Sequence, residues 1–193
     1  MNFMRTEIED LIVIEPKVYT DDRGYFYENY KKRELESYLG YAVNFIQGNE
    51  SKSTFGVLRG LHFQAPPYAQ TKLVRVIQGS VLDVAVDIRK GSKTYGQHIT
   101  VELSEYNKRQ LFIPKGFAHG FIVLSNEAIV SYQVDNYYNK ESEGGILFNS
   151  SELNVNWQIE TKNLKLSPKD KILPNFKDFT SPFSITEQYY ESF

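Results

Sequence analysis

Three histidines, at positions 62, 98 and 119, are the only imidazoles in the chain, and there is no cysteine at all. Thiolate chemistry, disulfides and Cys-ligated zinc or iron–sulfur centres are therefore excluded. His119 closes the run Pro114-Lys115-Gly116-Phe117-Ala118-His119. Pro and Gly make a rigid turn, and their spacing aims the imidazole inward from the start of the strand that follows. His62 lies in a second cluster, Arg59-Gly60-Leu61-His62-Phe63-Gln64, with Lys72 ten residues on. Imidazole, guanidinium and ammonium groups embedded among Val57, Leu58, Leu61, Phe63 and Leu73 could move protons and hold an anion. The plainer reading makes them edge-strand polar groups facing water, and an inward His119 favours a pocket instead. His98, in a strand of alternating polar and apolar residues, reads as an exposed strand histidine.

The elements that must position these groups are short and apolar-alternating. Residues 72–78 (KLVRVIQ) and 80–88 (SVLDVAVDI) flank Gly79, and residues 97–103, 108–113, 120–124 and 128–134 continue the series. In the second segment Val81, Asp83, Ala85 and Asp87 share one face, and Leu82, Val84, Val86 and Ile88 the other. Gly, Pro, Asn and Ser at the breaks predict an all-β antiparallel barrel or double-sheet jelly roll, not a βαβ series. Helix is expected at residues 31–39, ended by Gly40. After Ser150 the strand signal fades, and the tail is expected to wrap the barrel as loops and short helices. If residues 57–63 are extended, Arg59 and Leu61 share one face while Leu58, Gly60 and His62 share the other. That parity separates Arg59 from His62 unless a bulge at Gly60 re-aims one of them.

Composition narrows the class. The chain has 193 residues with no repeat, polar linker or low-complexity tract, which predicts a single domain over residues 1–193 with its barrel core at about residues 45–138. Its 22 Lys plus Arg against 24 Asp plus Glu give no basic excess, so no nucleic-acid partner is expected. The longest apolar run near the start, residues 11–14, is far short of a signal core or a membrane span, so a cytoplasmic protein is expected. The 14 Tyr and 13 Phe favour pleated, half-buried surfaces over helices.

The run at residues 114–119 resembles the second motif of the cupin superfamily of jelly-roll barrels. In metal-binding cupins that histidine is a ligand, completed by an earlier His-x-His and a Glu. Here Gln64 replaces the second histidine and no carboxylate lies between Gln64 and Lys72. An ammonium beside a dication is repulsive, so no metal is expected. Longer stretches carry a closer likeness: VLRGLHFQ, AQTKLV at residues 69–74, VLDVAVDIR at 81–89, QLFIPKGFAHGFIVLS at 110–125, DDRGYFYE at 21–28, the Gln47/Asn49/Ser51 spacing, and DNYYNKESEGGI at 135–146. In order and spacing these resemble the dTDP-4-dehydrorhamnose 3,5-epimerase family, from about residue 8 to about residue 175.

That resemblance implies a homodimeric jelly roll that inverts C3 and C5 of a nucleotide-linked 4-keto-6-deoxy sugar, with no metal, nicotinamide or other cofactor. It assigns His62 as base, Asp170 as its carboxylate partner, Tyr132 as acid on the opposite sugar face and Lys72 as stabiliser of the enolate oxygen. Arg23 and Arg59 would hold the phosphates. Glu28, Gln47 and Asn49 would contact nucleotide or sugar, Phe26 and Tyr138 would offer aromatic surface, and His119 and Glu143 would line the pocket. The segment at residues 21–28 would cross to the neighbouring subunit. Nothing local singles out Asp170, which alone reads as a solvated loop charge.

Gly48, where the family commonly has an acid, and Leu147-Phe148-Asn149-Ser150-Ser151, in place of Trp-Asn-Asp-Pro, depart from the family pattern. They bear on substrate identity more than on reaction type. A C3-only epimerase, an epimerase of a GDP- or CDP-linked sugar, a sugar 3,4-ketoisomerase and a non-catalytic sugar-binding cupin are the alternative readings.

Overall fold

The computed structural model describes residues 1–186 and Tyr189. In chain order the strands are β1 (Asn2–Arg5), β2 (Ile12–Glu15), β3 (Val18–Asp21) and β4 (Gly24–Tyr27), followed by helix α1 (Lys32–Leu39). Then come β5 (Gln47–Thr54), β6 (Leu58–Gln64), β7 (Lys72–Gln78), β8 (Ser80–Asp87), β9 (Arg89–Lys90), β10 (His98–Ser104) and β11 (Gln110–Ile113). The last are β12 (Phe117–Val123), β13 (Glu127–Val134), β14 (Glu143–Gly145) and β15 (Phe183–Ser184). Six strands form one antiparallel sheet in the order β1-β2-β11-β7-β13-β5, and five form the other, β10-β8-β12-β6-β14. They face each other as a double-sheet jelly roll. β3 and β4 make a separate antiparallel hairpin, and β15 pairs in parallel with β9.

Period-two alternation explains how one strand serves two cores. Between the sheets lie Val74 and Val76 of β7, Val81 and Ala85 of β8, Leu111 and Ile113 of β11, and Phe117 and Phe121 of β12. The outer face of β8, with Leu82, Val84 and Val86, packs instead against Ile146, Phe148, Leu153, Trp157 and Phe183 of the C-terminal wrap. On the far side, α1 lays Leu35 over Ile12, Ile14, Leu73 and Phe112. Gly40 ends that helix in the left-handed region (φ 77°), donating its N–H to the Glu36 carbonyl. The wrap runs as loops and 3-10 turns at Thr161–Asn163, Asp170–Ile172 and Phe176–Asp178.

Several expectations are corrected. β11 begins at Gln110 and not at Lys108, which sits at a positive φ of 55° before the strand, while β12 begins three residues earlier than expected, at Phe117. Both carboxylates of β8, on the face shared with Val81 and Ala85, are fully buried and satisfied internally. Asp87 accepts from Arg89, Ser92 and Thr94. His98 is half-buried rather than exposed, and burial pulls its pKa below the ordinary histidine value.

The conflict between Arg59 and His62 is resolved by a bulge. Across the β6–β12 ladder His62 faces His119 and Arg59 faces Phe121, so Gly60 and Leu61 oppose Gly120 alone. The extra residue resets the alternation. Leu58, Leu61 and Phe63 go outward to the wrap, and Arg59 and His62 both face the interior. Gly60 (φ 130°) must be glycine here, because a Cβ would lie 2.5 Å from the Gly120 Cα.

Candidate active site

A cavity of about 470 Å³ opens between the two sheets. The five-stranded sheet contributes Arg59, His62 and His119, the six-stranded sheet Lys72 and Tyr132, and the wrap Lys165, Ser167, Lys169 and Asp170. His62 and Tyr132 therefore stand on opposite walls of the cavity. Sheets packed face to face stand about 10 Å apart, which leaves room for a sugar ring where large apolar side chains are absent.

His62 Nε2 donates to Asp170 Oδ1 at 2.6 Å, leaving Nδ1 with the lone pair. Asp170 is not the solvated loop charge that its local sequence suggests. It is buried, and its own N–H donates to Ser167 Oγ at 3.1 Å. Burial raises the Asp170 pKa, but the bonds from His62 and Ser167 and the nearby Lys169 outweigh it and hold the carboxyl below its ordinary value. Burial raises the Tyr132 phenol, keeping it protonated at neutral pH, with Arg59 partly opposing. Lys72 is pulled down to about 8 by burial, against the charges of Asp83 and Glu143. An ammonium so placed is still charged at pH 7 and loses its proton easily above 8.

The remaining expected residues divide into two groups. Arg59 Nε donates to Ser53 Oγ at 3.1 Å. Glu143 contacts Lys169 Nζ and accepts from the Tyr138 hydroxyl at 2.8 Å. Gln47 donates to Asn49 Oδ1 at 2.9 Å and accepts from the Tyr138 N–H at 3.4 Å. Through Lys169, which lines the cavity, the Glu143–Tyr138–Gln47–Asn49 contacts connect to it. Arg23, Phe26 and Glu28 do not join it within one chain. Arg23 pairs with Asp21 at 2.5 Å on the β3–β4 hairpin, Glu28 pairs with Lys31 at 2.6 Å, and Phe26 is 66% exposed. No group of three or more His, Asp or Glu among the described residues has the geometry to hold a metal ion.

The sequence model of the dTDP-4-dehydrorhamnose 3,5-epimerase family matches residues 5–178. The chain belongs to this family. A dTDP-4-dehydrorhamnose 3,5-epimerase of Escherichia coli K12 is 53% identical over 173 residues, 90% of this chain and 93% of its own. The crystal structure of the same enzyme from Elizabethkingia anophelis superposes with a TM-score of 0.89 at 50% identity, covering 92% of this chain and 97% of that one. That of the Legionella pneumophila epimerase in complex with dTDP-4-keto-L-rhamnose gives 0.88 at 48% identity, covering 91% and 93%. The protein is thus an isomerase-class enzyme on a cupin jelly roll.

A carboxylate that backs the cavity wall of this epimerase was not singled out from the sequence. Asp83 is fully buried with its oxygens 2.9 and 3.0 Å from His119 Nε2. The available signal was its position on β8 between Val81 and Ala85, a charge flanked on its own face by apolar residues. Ser53 and Lys169 were missed as well, each lying in a stretch that reads as ordinary polar surface.

Proposed function

We propose that the enzyme inverts C3 and C5 of dTDP-4-dehydro-6-deoxy-D-glucose to give dTDP-4-dehydro-L-rhamnose, with His62 as base and Tyr132 as acid. The observation that carries this is the opposition of the two across one cavity, with Lys72 beside them. The C4 ketone acidifies the protons on C3 and C5, so no oxidation is needed. His62 Nδ1 takes the carbon-bound proton, the electron pair moves into the ketone to make an enolate, and the Lys72 ammonium stabilises the oxygen. Tyr132 then delivers a proton to the opposite face of the same carbon. Exchange with solvent returns both groups to their starting states. Asp170 holds the His62 tautomer and stabilises the imidazolium.

Arg59 and the Gln47–Asn49–Tyr138–Glu143 group would take the diphosphate and nucleotide. Arg23, Phe26 and Glu28 complete the site in a homodimer, in which the β3–β4 hairpin reaches the neighbouring subunit. Its exposed Tyr19, Tyr25 and Phe26 support that reading, since isolated aromatic clusters of this kind mark interfaces. A cytoplasmic location is consistent with a cysteine-free chain.

The test is turnover of matched dTDP-, GDP- and CDP-linked 4-keto-6-deoxyglucose, followed by proton NMR. Inversion at both carbons of the dTDP sugar is expected. Turnover of only a GDP- or CDP-linked sugar, or inversion at C3 alone, would overturn the assignment.

A further inference from the structure

Asp170 reaches His62 from a short turn that lies mostly in solvent. Of residues 167–172 only Asp170 is buried, and Ile172 is 83% exposed. The Lys169 ammonium goes to Glu143 on β14. Pro168 fixes its own φ and disfavours helical backbone at Ser167. Lys169 is already helical, at φ −64° and ψ −45°, and the Lys171 N–H donates to the Ser167 carbonyl at 3.3 Å. Ser167 therefore stands just ahead of a helical turn, with its Oγ accepting the Asp170 N–H at 3.1 Å. Ser-x-x-Asp is the spacing of a capping box, in which the acid reaches back to the serine N–H. Here the Asp170 carboxylate goes to His62 Nε2 instead, at 2.6 Å. The serine half of the box remains, and it ties down the main chain that carries the carboxylate.

We propose that Ser167 is a positioning residue for the base: by accepting the Asp170 N–H it fixes the carboxylate on His62 Nε2 and so keeps the lone pair on Nδ1. A carboxylate on an exposed turn samples several directions unless its backbone is held. A histidine whose partner wanders spends time in the other tautomer, with its proton on Nδ1. In that tautomer Nδ1 has no lone pair with which to take a proton from carbon. Burial opposes the Asp170 charge, and His62 and the Ser167 hydroxyl are among the groups that hold the carboxyl below its ordinary value. Ser167 also lines the cavity, but its oxygen is engaged by Asp170, so its effect on the reaction passes through the carboxylate. This inference rests on the epimerase reading above, with His62 as its base.

Two measurements on Ser167→Ala and Ser167→Thr test it. In enzyme labelled with nitrogen-15 in its three histidines, long-range proton–nitrogen spectra report where each ring carries its proton. They are recorded at about pH 8, above the ordinary histidine range, with His62 assigned through His62→Asn. The unmodified enzyme and Ser167→Thr are expected to carry the His62 proton on Nε2, and Ser167→Ala to show a substantial fraction protonated on Nδ1. The same tautomer in all three would overturn the proposal whatever the rates, and so would an Nδ1 proton in the unmodified enzyme. The second measurement is steady-state epimerisation of dTDP-4-keto-6-deoxyglucose. Ser167→Ala is expected to lose about tenfold in kcat with KM changed less than about twofold. Ser167→Thr, which keeps the accepting oxygen, is expected to recover to within about threefold of the unmodified enzyme. Unchanged kcat in Ser167→Ala, a rise in KM alone, or a loss that threonine does not recover would each overturn the proposal. No turnover by the unmodified enzyme would overturn the epimerase reading, and the nitrogen spectra would still decide whether Ser167 holds the tautomer.

Discussion

His62 and Asp170 are 108 residues apart in the chain and 2.6 Å apart in the fold. Replacing His62 with Asn keeps a donor for Asp170 while removing the base. Turnover is expected to fall about 10²–10⁴-fold with the melting temperature little changed, as steady-state kinetics and calorimetry would show. Unchanged turnover would remove His62 from the mechanism. Lys72, at about 8, gives the reaction a pH signature. The ammonium form predominates below that value and is lost as pH rises through it, so kcat is expected to decline on the alkaline side with a midpoint near 8. In Lys72→Arg, whose guanidinium stays charged, that limb should move well above pH 9 even if the rate is lower. An alkaline limb unmoved by the substitution would assign it to another group. At this scale the sequence revealed residues whose type is rare, such as the histidines in unusual local runs. It concealed Asp170, because one loop carboxylate among 24 acidic residues has no local mark of burial, whereas Asp83 was marked only by its place on a strand face with Val81 and Ala85.

At the scale of elements, the β6 bulge decides whether there is a site. Without the extra residue opposite Gly120, Arg59 and His62 would point to different sides of the sheet. Gly60→Ala places a Cβ against Gly120 and the His119 carbonyl. It is expected to cost about 2–3 kcal/mol in denaturant unfolding and to depress turnover by more than any stability loss explains. A variant with native stability and turnover would show that the close approach is not required. The strand alternation of β7, β8 and β13 was legible from apolar periodicity. The bulge was legible only as a conflict of parity, since the residue it packs against, Gly120, lies 60 positions away. His98 shows the opposite limit, where a correct alternation pattern did not report how deeply neighbouring chain covers the side chain.

For the whole molecule, the alternating segments and their breaks pointed to a double-sheet architecture, but not to its strand order. β7 lies between β11 and β13, and β12 between β8 and β6, pairings set by cores contributed from distant segments. The hairpin that carries Arg23 and Phe26 does not line the cavity of its own chain, and the proposed homodimer would supply it from a second subunit. Light scattering after size exclusion is expected to give about 45 kDa, twice the 22.4 kDa chain. Arg23→Ala is expected to weaken dTDP binding about tenfold or more in titration calorimetry while leaving C5 exchange at saturating substrate largely intact. A monomer with full activity would contradict the shared site. The central claim, that a base and an acid act from opposite sheets, is tested most directly by comparing the unmodified enzyme with Tyr132→Phe on dTDP-4-keto-6-deoxyglucose in deuterium oxide. The expected result is loss of the C3 and C5 proton signals with inversion in the first, and in the second deuterium exchange without inversion, because His62 can still remove and return a proton on its own face. Inversion at the normal rate by Tyr132→Phe, or retention of both protons by the unmodified enzyme, would contradict it.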